Sequence, residues 1–282
     1  MEKNKDKFKL SNIEHDIIYK EIEEQVFLGK HPKKYPIAIV LGGQPGSGKS
    51  FLIKEAKGEF DDGNVVIING DEYRRWHPDS KKILNNYEED YAFYTDADVR
   101  TWTSNLFDKA ITDKYNFIFE GTMRTQKICE TLKTIKQAGF SIKIKALAVN
   151  GIDSLISTLE RYETQKLAEG HGRVTPAESH REAYYGMIGT LREIEKSGNF
   201  DTLEILTRKG DIIYFNDNLH KEIYSKYNLN IEETLIKSRE EQTPSIEEIK
   251  RRIQAVSQSR EKRGEEPINI QDIIEKIDKK CI

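Results

Sequence analysis

Between positions 37 and 215, short apolar runs alternate with longer stretches in which apolar residues recur every three or four positions. The first pattern is that of buried strands and the second that of amphipathic helices. Strands are predicted at Ile37 to Leu41, Val65 to Asn69, Phe117 to Glu120, Ile142 to Val149 and Ile212 to Phe215, and helices over 50–57, 96–114, 126–138, 153–168 and 176–196. Strict alternation of the two predicts an α/β fold, a mostly parallel sheet covered by helices on both faces. Ligands of such sheets gather outside the carboxyl ends of the strands, so the residues that follow each strand carry the functional signal.

The flanks read differently. Ser11-Asn12-Ile13-Glu14 has capping-box spacing, and Ile13, Ile17, Ile18, Ile22, Val26 and Phe27 follow at helical spacing, which predicts an N-terminal helix over part of 1–35 that packs on the core. From about Asn216 the strand signals stop. A second capping signature, Ser245-Ile246-Glu247-Glu248, starts a helix that extends to about Arg263 before Gly264 and Pro267. The expected organisation is therefore an N-terminal helix over 1–35, a central domain over 36–236 and an accessory helical tail over 237–282. The mixed charges of the tail predict a solvated appendage that the chemistry does not need.

Composition narrows the classes of function. A charged fraction of 33% against 37% hydrophobic residues and a net charge of −3 give no basic field to capture nucleic acid or anionic lipid. Nucleic acid and membrane are not expected as partners. Two cysteines, Cys129 and Cys281, build neither a disulfide framework nor a paired-cysteine metal site, which suits reducing cytoplasm. The charged stretch Met1 to Lys7 runs into the amphipathic segment without an apolar signal core, so an export signal is not expected.

The first strand leads directly into Gly43-Gln44-Pro45-Gly46-Ser47-Gly48-Lys49-Ser50, a complete G-x-x-x-x-G-K-[ST] motif followed by a helical stretch. In that setting the backbone N–H groups cradle a phosphate chain, Lys49 reaches the β- and γ-phosphates, and the Ser50 hydroxyl can ligate Mg²⁺. The motif predicts a P-loop NTPase or kinase-like fold that binds ATP or GTP. Two more strands end in acids, Asn69-Gly70-Asp71 and Phe119-Glu120-Gly121-Thr122-Met123-Arg124. Asp71 and Glu120 are candidates for base, Mg²⁺ support or acceptor-hydroxyl binding, because phosphoryl transfer asks mainly for positioning and charge stabilisation. Arg161, within a helix, and Arg173, in a Gly-containing loop, are the candidate cations for the transferred group. The histidines show no H-E-x-x-H spacing and no serine elbow accompanies them, so hydrolytic metal or serine chemistry is not expected. His77-Pro78 reads as a structural turn.

Five blocks in order resemble the zeta toxin family of toxin–antitoxin systems over about Ser11 to Asn218: the P-loop; Asn69-Gly70-Asp71 with His77-Pro78; Tyr115-Asn116 leading to Glu120-Gly121-Thr122-Met123-Arg124; Glu160-Arg161-Tyr162-Glu163-Thr164; and Arg173-Val174-Thr175-Pro176 with His180. The resemblance implies a kinase that uses ATP or GTP and Mg²⁺ to phosphorylate UDP-N-acetylglucosamine at the 3′-hydroxyl of the amino sugar, with an antitoxin protein as partner. It implies Asp71 as catalytic base, Lys49 as phosphate-binding lysine, Glu120 and Thr122 as substrate contacts, and Arg124, Arg161 and Arg173 as phosphate and lid arginines. In one place the chain departs from the family: counting back from Glu120 puts Ser104 where the family has a carboxylate that touches the sugar. A serine cannot hold that charge, which bears on the acceptor. Kinases of another hydroxylated metabolite, such as an antibiotic or a dinucleotide, and a nucleotide-switch protein acting through the tail are the competing readings.

Overall fold

The computed structural model describes residues 4–269; positions 1–3 and 270–282, with Cys281, lie outside them. Seven strands form one sheet: β1 Ile37–Gly42, β2 Val66–Ile68, β3 Phe117–Glu120, β4 Ser141–Ala148, β5 Thr202–Thr207, β6 Ile212–Asp217 and β7 Glu222–Ser225. Their order is β2-β3-β1-β4-β5-β6-β7, parallel from β2 through β5 and antiparallel from β5 to β7. The helices are α1 Asn12–Phe27, α2 Lys49–Gly58, α3 Gly70–Tyr73, α4 Ser80–Tyr87, α5 Tyr91–Thr112, α6 Lys127–Gln137, α7 Gly151–Glu169, α8 Ala177–Ser197, α9 Ile231–Glu241 and α10 Ile246–Glu261.

The centre of the sheet is apolar on both faces, as a parallel sheet covered by helices requires. Ile39 and Leu41 of β1 point to the side that α2 covers with Leu52 and Ala56, while Ala38 and Val40 point to the side that α6 and α8 cover with Leu132, Ile135, Met187 and Leu191. From β1 the chain crosses to β2 on one side of the sheet, and from β3 it crosses back to β4 on the other side of β1. The crevice between the ends of β1 and β3 is thus a topological switch point.

Two strands escape the hydrophobic pattern. In β5 the buried Leu203, Ile205 and Leu206 are interleaved with Thr202 and Glu204, and Glu204 pairs with Lys145 of β4 at 3.2 Å, so polar residues serve a face of the sheet that ion pairs cover. Strand β7 follows the point where strand signals stop, with Ile223 and Tyr224 exposed on the sheet edge.

The predicted capping boxes both start helices. Ser11 Oγ accepts from Glu14 N and Glu14 Oε2 accepts from Ser11 N at 3.1 Å, and Ser245 Oγ accepts from Glu248 N at 3.2 Å. Helix α1 buries Ile22 against Tyr73, Val99, Trp102 and Leu106, while Ile13 and Ile17 are exposed.

The segment after 236 is not the solvated appendage its charge pattern predicts. Position 237 falls inside α9, and α10 lies on α7 with Ile249 and Ile253 buried against Leu155 and Ile156. Two arginines of this segment face inward: Arg252 donates to Asp153 at 2.5 Å and to Glu160 at 2.6 Å, and Arg263, just after α10, forms a two-pronged pair with Glu163, itself 5% exposed, at 2.7 and 3.0 Å. A buried carboxylate stripped of its partner costs about 3–5 kcal/mol. Truncation after Pro244 should therefore lower the unfolding temperature by about 10 °C or more, as calorimetry would show, since a chain of this size loses about 2–4 °C per kcal/mol.

Candidate active site

The turn after β1 is shaped by glycines. Gly46 has φ +75°, and a Cβ there would sit 2.0 Å from the Ser154 carbonyl oxygen; Gly48, with φ +96°, precedes the first turn of α2. A side chain at Gly46 would be both strained and blocked. The loop that results aims Lys49 inward: Nζ donates to the carbonyls of Gly43 at 2.8 Å and Gln44 at 3.3 Å, and stands 3.8 Å from Glu120 Oε1. Burial pushes the Lys49 pKa down, and the nearby Glu120 and Asp71 resist that shift. Ser50 is exposed in the first turn of α2, and the Ser47 hydroxyl is buried without a protein partner.

At the end of β2, Asn69 caps α3 through its side chain, which accepts from Asp71 N at 3.0 Å, and its amide nitrogen donates to Glu120 Oε2 at 2.6 Å. One residue thereby fixes both acids. Asp71 accepts from two guanidinium groups, Arg173 Nη2 at 2.6 Å and Arg74 Nε at 3.3 Å. Burial would raise the Asp71 carboxyl, but Arg173 and Arg74 outweigh it and hold the group below the usual carboxylate range. Glu120 goes the other way, because burial raises it and Asp71 adds to that, against Lys49. Two carboxylates at neighbouring strand ends are thus pushed apart in acidity, the arrangement from which distinct roles follow.

Arg161 donates to Thr175 Oγ1 at 2.9 Å, and its Nε is buried without a protein partner. Among the described residues no carboxylate pairs with it, and burial, then Arg173, lowers its pKa. The structure therefore gathers Lys49, Asp71, Glu120, Arg161 and Arg173 in one cluster, with Thr122 half-buried after β3. Arg124 and Ser104 stand apart. Arg124 is exposed and pairs with Glu182 of α8 at 3.3 Å, and Ser104 is exposed on α5. His77 is structural: it is buried, its Nε2 lies 2.9 Å from the Phe8 carbonyl, and its Nδ1 accepts from Asp79 N at 3.2 Å.

A cavity of about 570 Å³ opens beside Asp71 and Arg173, and Trp76, Tyr91 and His171 line it. A larger one, about 680 Å³, lies outside β2 between α1 and α2 and reaches neither Asp71 nor Arg173. Chemistry, not size, distinguishes them. Sequence reasoning missed Arg74, although its i,i+3 spacing from Asp71 on a short helix was a usable signal. It also missed Arg208, which follows β5 and donates to the Gly46 carbonyl at 2.5 Å and to Asp153 at 3.1 Å, because that strand itself went unread.

No group of three or more His, Cys, Asp or Glu among the described residues could hold a metal ion. P-loop proteins hold Mg²⁺ through the hydroxyl that follows the P-loop lysine, a strand-end carboxylate and phosphate oxygens of the nucleotide, and Ser50 stands at the first of these positions. No helix among the described residues is long and apolar enough to cross a membrane.

Comparison with known proteins gives a consistent picture. The sequence profile of the Zeta toxin family matches residues 22–220. A toxin zeta of Enterococcus hirae is 28% identical over 252 residues, covering 83% of this chain and 88% of that protein. The toxin PezT of Streptococcus pneumoniae serotype 4 is 32% identical over 188 residues, covering 66% of this chain and 74% of that one. Among solved structures, a chain of the PezAT chromosomal toxin–antitoxin system of Streptococcus pneumoniae superposes with a TM-score of 0.72 at 24% identity, covering 95% of this chain and 99% of that chain.

Proposed function

This chain belongs to the zeta toxin family, and from that premise we propose that it transfers the γ-phosphate of ATP or GTP to a hydroxyl of a sugar nucleotide, the 3′-hydroxyl of UDP-N-acetylglucosamine. The observation that carries the reading is the pairing of Asp71 with Arg173 at 2.6 Å across the mouth of the P-loop that holds Lys49. A base and the cations for a transferring phosphoryl group share one crevice, and the adjoining cavity beside Asp71 offers the acceptor a place.

In the reaction the acceptor oxygen attacks the γ-phosphorus as its proton passes to an Asp71 oxygen, and the bond to the β–γ bridging oxygen breaks. Lys49, Arg161 and Arg173 spread over the charge of the transferring group. The Ser50 hydroxyl would hold Mg²⁺, which would neutralise charge on the β- and γ-phosphates. Arg173 has two tasks that compete. When it turns to the phosphate, Asp71 loses the strongest influence that lowers it, and the carboxyl rises toward a range better suited to accepting a proton. Glu120, tied by Asn69 and kept partly proton-attracting by burial, holds the acceptor hydroxyls. The relatives' names and the toxin–antitoxin neighbour support an antitoxin protein as the partner of this chain.

The test is incubation of the protein with labelled ATP and a polar metabolite extract, read by mass spectrometry. Phosphorylated UDP-N-acetylglucosamine is the expected product. Label on a different metabolite keeps the kinase and overturns the acceptor, for which the exposed Ser104 in place of a carboxylate gives reason to look. Release of free phosphate alone would favour a nucleotide switch.

A further inference from the structure

Behind the P-loop the fold buries a charge for which the chemistry above has no use. Arg239 in the last turn of α9 is 1% exposed. Its Nη1 donates to the Tyr184 carbonyl at 2.7 Å, its Nη2 donates to Gln44 Oε1 at 3.3 Å, and its guanidinium carbon lies 4.1 Å from the centre of the Tyr184 ring. Its Nε has no partner, and among the described residues no carboxylate pairs with it. Burial pushes its pKa down to about 10, which leaves it charged at neutral pH. A buried cation without a counter-charge is costly to a fold, because burial strips away its hydration.

What the arginine touches is the second residue of the P-loop. Gln44 is fully buried: its amide nitrogen donates to the Val149 carbonyl at 2.8 Å and to Ser154 Oγ at 3.1 Å, its side-chain oxygen accepts from Arg239, and its backbone oxygen accepts from Lys49 Nζ at 3.3 Å. Arg239 and Lys49 therefore grip opposite ends of one residue. The neighbouring titratable group is His180, whose Nε2 lies 2.8 Å from Ser154 Oγ; burial, then Arg239 and Lys49, hold it down to about 4, so it stays neutral and adds no second positive charge beside Arg239.

We infer that Arg239 is a positioning residue of the nucleotide site, a fixed cation behind the loop that orients Gln44 and whose unpaired charge is offset when a polyphosphate occupies the loop. The inference rests on the nucleotide reading of the P-loop. It makes α9 part of the binding machinery, although the helix lies outside the strand-end positions where such residues are sought. By linkage, relief of the buried charge counts toward affinity.

Three full-length proteins decide it: wild type, Arg239→Met and Arg239→Lys, titrated calorimetrically with MgATP and with inorganic triphosphate and melted without ligand. For Arg239→Met we expect Kd to rise about tenfold for both ligands, the order set by one charge acting on a polyphosphate at an effective dielectric constant of about 20. Arg239→Lys, which keeps the charge but not the planar fork, should bind within about threefold of wild type. Equal weakening in the two variants, or a lower unfolding temperature in Arg239→Met with wild-type affinity, would overturn the inference, since the charge then plays no part in binding. If Arg239→Met does not fold, Arg239→Gln, which keeps hydrogen-bond donors at this position but removes the charge, takes its place: about tenfold weaker binding of both ligands supports the inference, and unchanged affinity sinks it. Failure of wild type to bind either ligand would remove the nucleotide reading itself, a result separable from any difference among the variants.

Discussion

Asp71→Asn should lower turnover by about 10²-fold or more while nucleotide Kd stays nearly constant, the usual consequence of losing general-base help. The substitution preserves size and some hydrogen bonding, so Arg74 and Arg173 keep a partner, but it removes the charge that accepts the proton. Glu120→Gln is the control: it should raise the apparent acceptor KM at least as much as it lowers kcat, because Asn69 still orients it. If Glu120→Gln abolishes turnover while Asp71→Asn stays within a few-fold of wild type, the two roles are exchanged. The pH profiles carry the same assignment. Two arginines hold the Asp71 carboxyl below its ordinary range, so in Glu120→Gln, which removes the second titrating carboxyl, kcat/KM, which reports the free enzyme, should remain level down to the ordinary carboxylate range and drop only below it. In the ternary complex Arg173 is drawn to the phosphate, the Asp71 pKa rises, and the acid limb of kcat should lie at higher pH than that of kcat/KM. Superimposable limbs would contradict the switch of Arg173 between the two groups.

Lys49→Ala should reduce phosphoryl transfer by about 10³-fold, at the upper end of what removal of one preorganised cation or donor costs. The lysine is more buried than a ligand-facing residue read from sequence would be, with 13% of its side chain exposed, yet what it touches are the loop's own carbonyls and Glu120. Its loss opens no apolar cavity in either cluster beside the sheet, so far-UV circular dichroism and the unfolding temperature should change little. Retained turnover in a folded variant would refute the site.

Much of this was legible in the sequence because β1, β2 and β3 announce themselves as apolar runs and the residues that matter stand directly behind them. Lys49, Asp71 and Glu120 could be placed at one sheet edge by topology alone, and Arg161 and Arg173 join them in the structure. Three kinds of feature stayed hidden. Strand β5 mixes Glu204 into its pattern because an ion pair with Lys145 substitutes for an apolar cover, and the strand took Arg208 out of view with it. The short helices and turns between Gly70 and Asp90 are set by side-chain contacts such as Arg74 with Thr95 at 2.8 Å, which no periodicity encodes. Arg252 of α10 and Arg263 just after it look solvated in sequence because charge runs usually are; only the fold reveals that Asp153, Glu160 and Glu163 of α7 face them.

The pairing of Arg263 with Glu163 spans 100 positions and that of Arg239 with Gln44 spans 195. On a ribosome that adds about 5–20 residues per second, the P-loop is thus made about 10–40 s before the arginine behind it. Throughout that interval a nascent chain holds the loop and its lysine without Arg239, and the acids of α7, once made, wait beyond that interval for Arg252 and Arg263. The full hold of the loop on a polyphosphate, in so far as it draws on Arg239, is thus completed only near the end of each chain's synthesis.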